Sequence, residues 1–389
     1  MDSDLIVVGG GPIGSRVAAL AARSMRTLVL EEHAEIGTPV QCAGLVTPRV
    51  VETACAEETV LNRISGGAVH FPGGTSIELN GKETKALVVD RSAFDVACYE
   101  KALEAGAEFM TCTRFTSFTR DRDSVIVETV SRGEKKTLRA SLLVGSDGYK
   151  SCVGSVAGIG QPRDMVRGIQ ADINRRLEDQ DRIQVYLGQK IAPGFFAWMI
   201  PCGDFTRVGL CVGGRYGAPS RFLSSFLKTA GLGGAERLSS ISGIIPVGPP
   251  QSTYADRIMV VGDAAAQAKP LSGGGLYTGM VAAECAAKTA AESLERNDFS
   301  SRMMSRYQDR WRSDVGKEID KGYRIRKVFV RLSDQKLDEV GKLMNRKDVL
   351  EILSQGDIDY PSRLAPSILR SIPSLLKFSP QILGSLLGK

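Results

Sequence analysis

The hydrophobic and polar positions of the first thirty residues follow the order strand, helix, strand. Residues 4–8 form a short apolar run, as in a central parallel strand whose two faces are both covered. Residues 15–23 are small and helix-forming, and residues 27–30 give a second apolar run. This order predicts a parallel β-α-β unit.

The rest of the chain alternates between strand-like and helical patterns. In some segments apolar and polar positions alternate around glycine turns, and in others they follow helical spacing. The pattern predicts hairpins at 60–88, a helix at 91–105, strands around a turn at 121–123, an apolar strand at 142–144 and another at 258–261. Residues 165–250 are β-rich with many glycines, and from about residue 300 onward the chain is helical and charged.

The composition and the N-terminal residues predict where in the cell the protein is found. The chain has 389 residues, of which 43% are hydrophobic, enough for an ordinary globular core. No run reaches the roughly 18 apolar residues that a membrane span requires, and the chain enters its first strand without a signal-peptide pattern. We therefore expect a cytoplasmic protein.

Charge and cysteine usage argue against several kinds of site. Fifty Lys and Arg against 44 Asp and Glu leave a formal charge of +6 that is spread along the chain. Phosphates, an anionic membrane or an acidic protein would suit this charge, and no nucleic-acid partner is expected. The eight cysteines include no CxxC pair, which argues against a zinc site or a dithiol centre, so we expect no metal. Most of the cysteines should be buried, reduced thiols.

A glycine motif joins the first strand to the first helix. Gly9, Gly11 and Gly14 have the spacing GxGxxG, which permits a tight turn, close approach of backbone to a pyrophosphate, and close helix packing. Glu31 ends the second strand about 20 residues later, where an acid accepts hydrogen bonds from ribose hydroxyls. Together these features predict a dinucleotide site, and a glycine turn without a ligand is the alternative.

Two later segments favour FAD over NAD. Residues 143–148 resemble the Asp-Gly segment of FAD-dependent hydroxylases, and residues 261–275 resemble their Gly-Asp segment with its glycine-rich helix start. The resemblance implies that Asp263 binds the ribityl chain of the flavin. It also implies that backbone N–H groups of Gly275 and Leu276 face the flavin and the pyrophosphate, as a helix start can.

Two further segments resemble the geranylgeranyl reductase family. Residues 35–44 (EIGTPVQCAG) match its EIGxPVxC segment, and residues 192–201 (APGFFAWMIP) match its P-x-x-Y-x-W-x-F-P segment. In the second motif Phe196 stands at the tyrosine and Ile200 at the phenylalanine, so no tyrosine hydroxyl is present there. The resemblance covers most of residues 1–300.

Members of that family are FAD enzymes that reduce isolated double bonds of geranylgeranyl chains, in archaea chiefly those of digeranylgeranylglycerophospholipids in membrane lipid biosynthesis. The resemblance therefore implies an isoprenoid lipid substrate and an FAD-dependent oxidoreductase acting on CH–CH groups. In addition to the three glycines of the turn, it implies cofactor contacts at Ile13, Glu31, Cys42, Ala43, Gly44, Arg91, Phe115, Asp263, Gly275 and Leu276. Phe115 would act through its backbone.

Several of these residues have a second interpretation. Arg91 opens a segment that resembles the family's R-x-x-F-D, but an arginine at a helix start also commonly forms a structural salt bridge. Cys42 is the candidate catalytic residue, since near the flavin it would orient substrate or relay a proton, whereas otherwise it is a small buried hydrophobe. Phe195, Phe196 and Trp198 are candidate substrate-binding residues whose ring faces would stabilise developing positive charge, or they are ordinary core aromatics.

Pattern and resemblance together give the fold class. We predict an α/β protein with a two-layer, Rossmann-like FAD-binding domain of the aromatic-hydroxylase type, an inserted β-rich substrate domain and a helical C-terminus. The predicted FAD-binding domain comprises residues 1–60, 85–160 and 252–300. The predicted substrate domain comprises residues 61–84 and 161–251, and the helical region residues 301–389.

The sequence contains no motif for a bound electron donor. Neither His33 nor His70 carries a catalytic motif, and both are expected at the surface. The glycines at 231–234 follow a helical stretch rather than a strand, so no nicotinamide-binding domain is expected. Reduced ferredoxin or NAD(P)H would therefore deliver electrons by docking.

The end of the chain is apolar and basic. Residues 364–389 hold many large apolar residues and several basic ones, but no acid. Such a segment can lie in a membrane interface, which would place the protein peripherally at the inner face of the cell membrane. Prolines at 366, 373 and 380 divide it into short turns, so helices that cap the domain are the alternative.

Two other functions fit the same flavin motifs. An FAD-dependent monooxygenase of a small aromatic substrate shares all of them. A flavin electron-transfer protein without a substrate of its own is the second alternative. The segment at 35–42 favours the reductase.

Overall fold

The computed structural model describes residues 2–81, 83–380, 384 and 386. Its strands are β1 (Ser3–Val8), β2 (Thr27–Leu30), β3 (Leu45–Val46), β4 (Val60–Ile64), β5 (Gly66–His70), β6 (Ser76–Leu79), β7 (Ala86–Val89), β8 (Glu108–Met110), β9 (Thr113–Arg120), β10 (Val125–Ser131), β11 (Glu134–Gly145), β12 (Asp164–Ile173), β13 (Arg182–Tyr186), β14 (Ala197–Pro201), β15 (Thr206–Gly213), β16 (Arg237–Val247), β17 (Tyr254–Ala255) and β18 (Ile258–Val260). Its helices are α1 (Pro12–Ala21), α2 (Pro48–Ala54), α3 (Arg91–Glu104), α4 (Cys152–Val156), α5 (Pro219–Thr229), α6 (Leu276–Arg296), α7 (Ser301–Trp311), α8 (Lys317–Phe329), α9 (Asp334–Met344), α10 (Lys347–Ser354) and α11 (Ala365–Ser371).

The central sheet contains the predicted β-α-β unit. β1 pairs in parallel with β2 on one side and with β11 on the other, so that Leu5 lies opposite Thr27 and Leu142. β8 and β18 extend this parallel part to the order β18-β11-β1-β2-β8, and β17 adds an antiparallel edge strand. The carboxyl ends of β1, β2 and β18 therefore meet at one edge, which is where open α/β sheets bind their ligands.

Three layers pack around this sheet, where two were predicted. Leu5, Val7 and Val29 face helices α1, α6 and α7, while Ile6 and Val8 face the antiparallel strands β9 and β10. The reason lies in β11, whose first half pairs with β10 and whose second half pairs with β1. One long strand thereby carries the β9–β10 pair onto the second face of the sheet. The predicted α/β class is confirmed, and the two-layer arrangement is wrong.

A seven-stranded sheet has the order β16-β12-β15-β14-β13-β5-β6. Neighbouring strands are antiparallel except for the parallel pair β13 and β5. Helix α5 covers one face, where Leu223 and Phe226 pack against Val208 and Leu210. Because the hairpin β5–β6 joins strands from much later in the chain, the two segments of the predicted substrate domain share one sheet. The domain boundaries themselves stay a prediction.

The region predicted as hairpins at 60–88 contains one hairpin, β5–β6. β4 and β7 instead pair with each other in a three-stranded sheet with β3. The glycine turns predicted the strands of this region correctly. They did not predict the pairing of β4 with β7, because this pairing joins segments from the two sides of the β5–β6 hairpin.

The C-terminal region is helical, as predicted. Leu369, Ile372 and Leu375 are buried in one cluster with side chains from α8, α9 and α10. This packing fits the capping interpretation of residues 364–380. The rest of the predicted interfacial segment, residues 381–383, 385 and 387–389, lies outside the described residues. Within the part of the chain that is described, no helix is long and apolar enough to cross a membrane.

The expected burial of the cysteines is wrong. All eight lie in the described part of the chain and are free, but only Cys98, Cys202 and Cys211 are buried. Cys55 and Cys152 are exposed because the first ends α2 in a left-handed conformation and the second begins α4 at the surface. The other three are partly exposed.

The two histidines differ in exposure, although both were expected at the surface. His33 is exposed. His70 is half-buried on β5, where its ring stacks on Tyr186 and lies within hydrogen-bond distance of Ser76 and Gln184. The expectation for His70 is therefore wrong, because β13 packs alongside the strand that carries it.

Candidate functional site

The glycine turn places the first helix directly against the end of β1. Gly9 has a φ of 99°, which L side chains rarely adopt, and a Cβ there would lie 2.5 Å from the Ser146 carbonyl oxygen. A Cβ on Gly14 would overlap the Gly9 carbonyl oxygen. A Cβ on Gly11 would meet no atom of the described residues within 4 Å. The turn therefore leaves room for a ligand at the start of α1.

Glu31 holds this turn from the end of β2. Its Oε2 accepts a hydrogen bond from the Gly10 N–H at 2.7 Å, and its Oε1 accepts from the His33 N–H at 2.9 Å. Oε1 also lies 2.6 Å from His33 Nδ1. Carboxylate oxygens keep lone-pair capacity after such bonds, so Glu31 can still accept from ribose hydroxyls.

Ile13 brings the first and the last motif together. Its side chain lies 3.3 Å from the position of a Cβ on Gly262 and 2.7 Å from that of a Cβ on Gly279. Gly262 opens the short turn after β18, and Gly279 lies near the start of α6. The motifs at 9–14 and 262–276 therefore meet at the carboxyl edge of the central sheet.

Asp263 is part of the second motif and borders the cleft where the two motifs meet. Its side chain is accessible, and among the described residues it has no hydrogen-bond partner. Protein atoms nevertheless surround it, and this burial raises its pKa to about 6, while the positive charge of Arg91 opposes the shift. An unpaired carboxylate of this kind is suited to accept hydrogen bonds from hydroxyl groups such as those of a ribityl chain.

Two helices begin at this cleft without a side-chain cap. α1 follows Gly11 and the 21-residue α6 follows Gly275, and neither residue offers a side chain to the free N–H groups. Both helix starts, including Leu276 at the first position of α6, therefore present N–H donors and a positive dipole end. Asp263 Oδ1 lies 3.3 Å from the position of a Cβ on Gly275, so the carboxylate and the second helix start share one site.

The chemistry of these groups suits the polar parts of FAD. Glu31 would accept from the adenosine ribose, and the start of α1 would face the pyrophosphate. Asp263 would accept from the ribityl chain, and the start of α6 would face the flavin. The open space at Gly11 and the unpaired Asp263 carboxylate are the two features that a bound dinucleotide explains.

Cys42 lies in a half-buried loop that two arginines hold from two sides. Arg207 of β15 donates to the Ala43 carbonyl oxygen at 2.9 Å and pairs with Asp172 at 2.9 Å. Arg91 interacts with the Cys42 side chain from α3. The loop is thus fixed between the seven-stranded sheet and the FAD-binding part of the molecule.

Arg91 forms the structural salt bridge that was its alternative interpretation. Its guanidinium donates to Asp95 at 2.8 Å. Burial alone would lower the pKa of Arg91, but attraction to Cys42 and Asp95 outweighs this effect and raises it. The same positive charge also acts on Asp263, so Arg91 interacts both with the Cys42 side chain and with the Asp263 carboxylate. A direct contact between Arg91 and the cofactor stays a prediction.

Gly44 and Phe115 occupy different surroundings within the predicted cofactor set. The Gly44 N–H donates to Cys42 Sγ at 3.4 Å, which ties the loop to its own thiol. Phe115 lies on β9 opposite Thr129, and its side chain packs in the core behind the central sheet. Its backbone is the part that remains for a cofactor contact, as the resemblance implied.

Phe195, Phe196 and Trp198 form one aromatic group. The rings of Phe195 and Phe196 stack with centroids 4.4 Å apart, and Phe196 meets Trp198 edge-on at 6.0 Å. The Phe195 ring lies 3.3 Å from the position of a Cβ on Gly273, beside the glycine-rich start of α6. Phe195 is buried core, whereas Phe196 and Trp198 are half-buried. Contact of this group with substrate stays a prediction.

Three polar residues that support the site were not predicted. Besides Arg207, Gln267 accepts from the Gly262 N–H at 2.7 Å and so braces the turn before Asp263. Lys269 is buried and pairs with Asp359 at 2.8 Å. Arg207 stands in a largely apolar strand, and Gln267 and Lys269 stand together in a small-residue segment; this contrast with their neighbours was the one signal that the sequence offered.

Comparisons with known proteins agree with this geometry. Residues 2–213 match a family model described as FAD binding domain. The chain is 31% identical over 401 residues to digeranylgeranylglycerophospholipid reductase 2 of Methanopyrus kandleri, which covers 98% of this chain and 100% of that protein. The chain belongs to the geranylgeranyl reductase family. A second family member, digeranylgeranylglycerophospholipid reductase 1 of Methanococcoides burtonii, is 32% identical, with 98% of this chain and 94% of that protein covered.

Solved structures share the fold of this geranylgeranyl reductase family member. A geranylgeranyl bacteriochlorophyll reductase-like protein from Thermoplasma acidophilum superposes with a TM-score of 0.89 at 24% identity, covering 98% of this chain and 99% of that one. A flavin-dependent brominase superposes with a TM-score of 0.75 at 16% identity, covering 97% and 99%. The predicted family, the FAD cofactor and the Rossmann-like fold of the aromatic-hydroxylase type are confirmed.

Proposed function

We propose that this protein is an FAD-dependent reductase that saturates double bonds of geranylgeranyl chains, acting on digeranylgeranylglycerophospholipids in archaeal membrane lipid biosynthesis. The observation that carries the proposal is the match, over nearly the whole chain, to reductases named for that lipid. The fold alone would also suit a monooxygenase, because flavin hydroxylases and halogenases share it.

The chain's own residues would bind the cofactor, place the alkene and exclude water. FAD, when bound in its reduced form, supplies the hydride. The cradle around Glu31 and Asp263 orients it, and burial of Phe195 beside Gly273 keeps solvent away from this end of the cleft. An unactivated alkene gains positive character on carbon as it is reduced, and the faces of Phe196 and Trp198 can stabilise that charge.

Cys42 is our candidate for orienting the substrate or relaying the proton to the second alkene carbon. It is supported by its place in a half-buried loop that Arg207 and Arg91 hold beside the Asp263 cleft. Fixing a reacting group within such a loop is what proton transfer at a defined atom requires. The remaining predicted contacts, at Gly9, Gly11, Ile13, Gly14, Ala43, Gly44, Phe115, Gly275 and Leu276, would hold the cofactor.

Electrons would reach the flavin from a docked donor, either reduced ferredoxin or NAD(P)H. Support comes from the glycines at 231–234, which follow helix α5 rather than a strand and so do not form a dinucleotide turn. The lipid nature of the substrate also leads us to propose peripheral contact with the inner face of the cell membrane. Flotation with anionic vesicles would test that contact, and protein that stays unbound would contradict it.

Lipid analysis in a host that makes unsaturated archaeol tests the activity. We expect expression of this protein to shift the lipid masses upward by two hydrogens for each double bond reduced. The Asp263→Ala variant, which loses a proposed cofactor contact, serves as the control. An unchanged mass distribution with flavin-loaded protein under reducing conditions would contradict the lipid reductase. Oxygen-dependent NADPH consumption with a small aromatic would favour the monooxygenase instead.

A further inference from the structure

Two buried polar atoms on one face of the seven-stranded sheet have no hydrogen-bond partner among the described residues. They are the side-chain oxygen Oε1 of Gln170 and the indole nitrogen Nε1 of Trp198. Gln170 as a whole is only 5% exposed. Nearly all buried polar groups in folded proteins are paired, so two such atoms in one place indicate a partner that comes from outside the chain.

The two side chains lie in one row across the sheet. Gln170 of β12 pairs with Gly209 of β15, and Gly209 pairs with Trp198 of β14. Residues directly opposite one another in antiparallel strands share a face. Because Gly209 has no side chain, the indole fills the space above it, with Nε1 2.8 Å from the position of a Cβ there. The indole N–H lies over Gly209, and Gln170 is its neighbour in the same row and on the same face.

This row lies on the face that carries the Cys42 loop. The opposite face, with Ala171, Val208 and Leu210, is covered by α5. On the near face, Arg207 contacts Ala43 from the adjacent row, and the Gln41 carbonyl oxygen lies 3.3 Å from the position of a Cβ on Gly243. A group bound between Gln170 and Trp198 would thus lie below the loop that borders the cofactor cleft.

The charge around this row favours a neutral ligand. Arg207 is a neighbouring cation, and its N–H groups already bond to both carboxylate oxygens of Asp172 and to the Ala43 carbonyl. A phosphate would need a cation that is free to pair with it. The indole N–H donates only, whereas an amide can donate or accept. Together they suit an uncharged oxygen, either an alcohol or an ether.

We propose that Gln170 and Trp198 form a polar subsite that binds a neutral alcohol or ether oxygen at the head end of the isoprenoid substrate. This inference rests on the proposed function. An oxygen bound here fixes one end of the chain, so it determines which double bonds reach the flavin. The apolar remainder of the chain then extends along the aromatic group formed by Phe195, Phe196 and Trp198.

Three ligands that share one geranylgeranyl chain test the subsite: the alcohol, its methyl ether, and the hydrocarbon in which a methylene replaces the oxygen. Their dissociation constants are measured on the FAD-loaded protein from the change in flavin absorbance. We expect the wild type to bind both oxygen-containing ligands at least about tenfold more tightly than the hydrocarbon, because the hydrocarbon leaves a buried donor and acceptor unpaired. In Gln170→Leu and in Trp198→Phe the preference should fall below about threefold, with hydrocarbon binding retained.

Ile241→Leu is the matched control, because Ile241 lies beside Gln170 in the same row and carries no polar atom. It should keep the wild-type preference. A preference that survives in both test variants, or a wild type that binds all three ligands equally or not at all, would overturn the subsite. Binding with the expected preference but without turnover would contradict the proposed reductase and leave the subsite standing. Turnover without any oxygen preference would contradict the subsite alone.

Discussion

Among single residues, Asp263 has a raised pKa and is also the predicted acceptor for the ribityl chain. Its pKa of about 6 lies above the ordinary value of 3.8 because the surrounding protein atoms displace water and so disfavour the charged form. The folded chain therefore holds this proton more tightly than the unfolded chain does. The contribution of Asp263 to stability is full below pH 3.8 and is lost as the pH rises through about 6.

Replacing Asp263 by asparagine removes this charge. We expect the melting temperature of the FAD-free protein to rise by roughly 1–2 °C at pH 7, a small effect because the side chain is accessible, and to change little near pH 4. The affinity for FAD should fall about tenfold, since an acceptor for the ribityl hydroxyls is lost. Thermal melts at the two pH values and a flavin fluorescence titration check both effects. Equal shifts at both pH values would contradict the assignment.

The role of Cys42 is tested by replacing the thiol. If Cys42 orients the substrate or relays a proton, Cys42→Ala should lower kcat about 100-fold with a smaller effect on KM. Cys55→Ser, at an exposed thiol outside the cleft, is the control and should match the wild type. Steady-state kinetics with a chemical reductant separate kcat from KM. If Cys42→Ala keeps the full kcat, Cys42 has a packing role and no catalytic one.

At the level of elements, the sequence predicted those helices and strands whose arrangement depends on the spacing of nearby residues. The β1-turn-α1-β2 unit was predicted because GxGxxG, the flanking apolar strands and Glu31 lie within one short stretch. The position of the β9–β10 pair was not, because β11 changes partner along its length and so adds a third layer. In the site, Arg207 and Gln170 escaped prediction because strand pairing, rather than a motif, brings them beside the Cys42 loop.

The close contact of α1 with β1 gives a test at this scale. Gly14→Ala places a Cβ onto the Gly9 carbonyl oxygen, so the helix start must move. We expect FAD occupancy of the purified protein to fall at least about tenfold, because the N–H groups at the pyrophosphate position are displaced. Gly234→Ala is the control, since a Cβ there would meet no described atom within 4 Å. Normal flavin content in Gly14→Ala would argue against this helix start as the pyrophosphate site.

At the scale of the whole molecule, a buried ion pair joins the C-terminal region to the segment that follows Asp263. Lys269 donates to Asp359 at 2.8 Å and to the Ile358 carbonyl at 3.1 Å, and the Asp359 carboxylate also accepts from Thr47 at 2.7 Å. Both charged side chains are almost fully buried. No sequence pattern predicts such a contact, because its partners are far apart in the chain and meet only after both regions have folded.

Breaking this pair should destabilise the folded chain strongly. Asp359→Ala leaves Lys269 buried without its counter-charge, for which we expect a loss of about 3–5 kcal/mol in the free energy of unfolding. Glu104→Gln, in the exposed pair with Lys101, is the control and should cost no more than about 1 kcal/mol. Denaturant titrations measure both. A loss for Asp359→Ala that is as small as the control would mean that the pair does not hold the C-terminal region in place.

The most direct test of the whole account is anaerobic reoxidation of the reduced, FAD-loaded protein by a digeranylgeranylglycerophospholipid. The flavin absorbance near its oxidised maximum is followed while the lipid is sampled by mass spectrometry. We predict that oxidised flavin returns in step with saturated lipid, one double bond for each flavin. Reduced flavin that persists with excess lipid, yet reoxidises at once when oxygen and a small aromatic are added, would contradict the reductase.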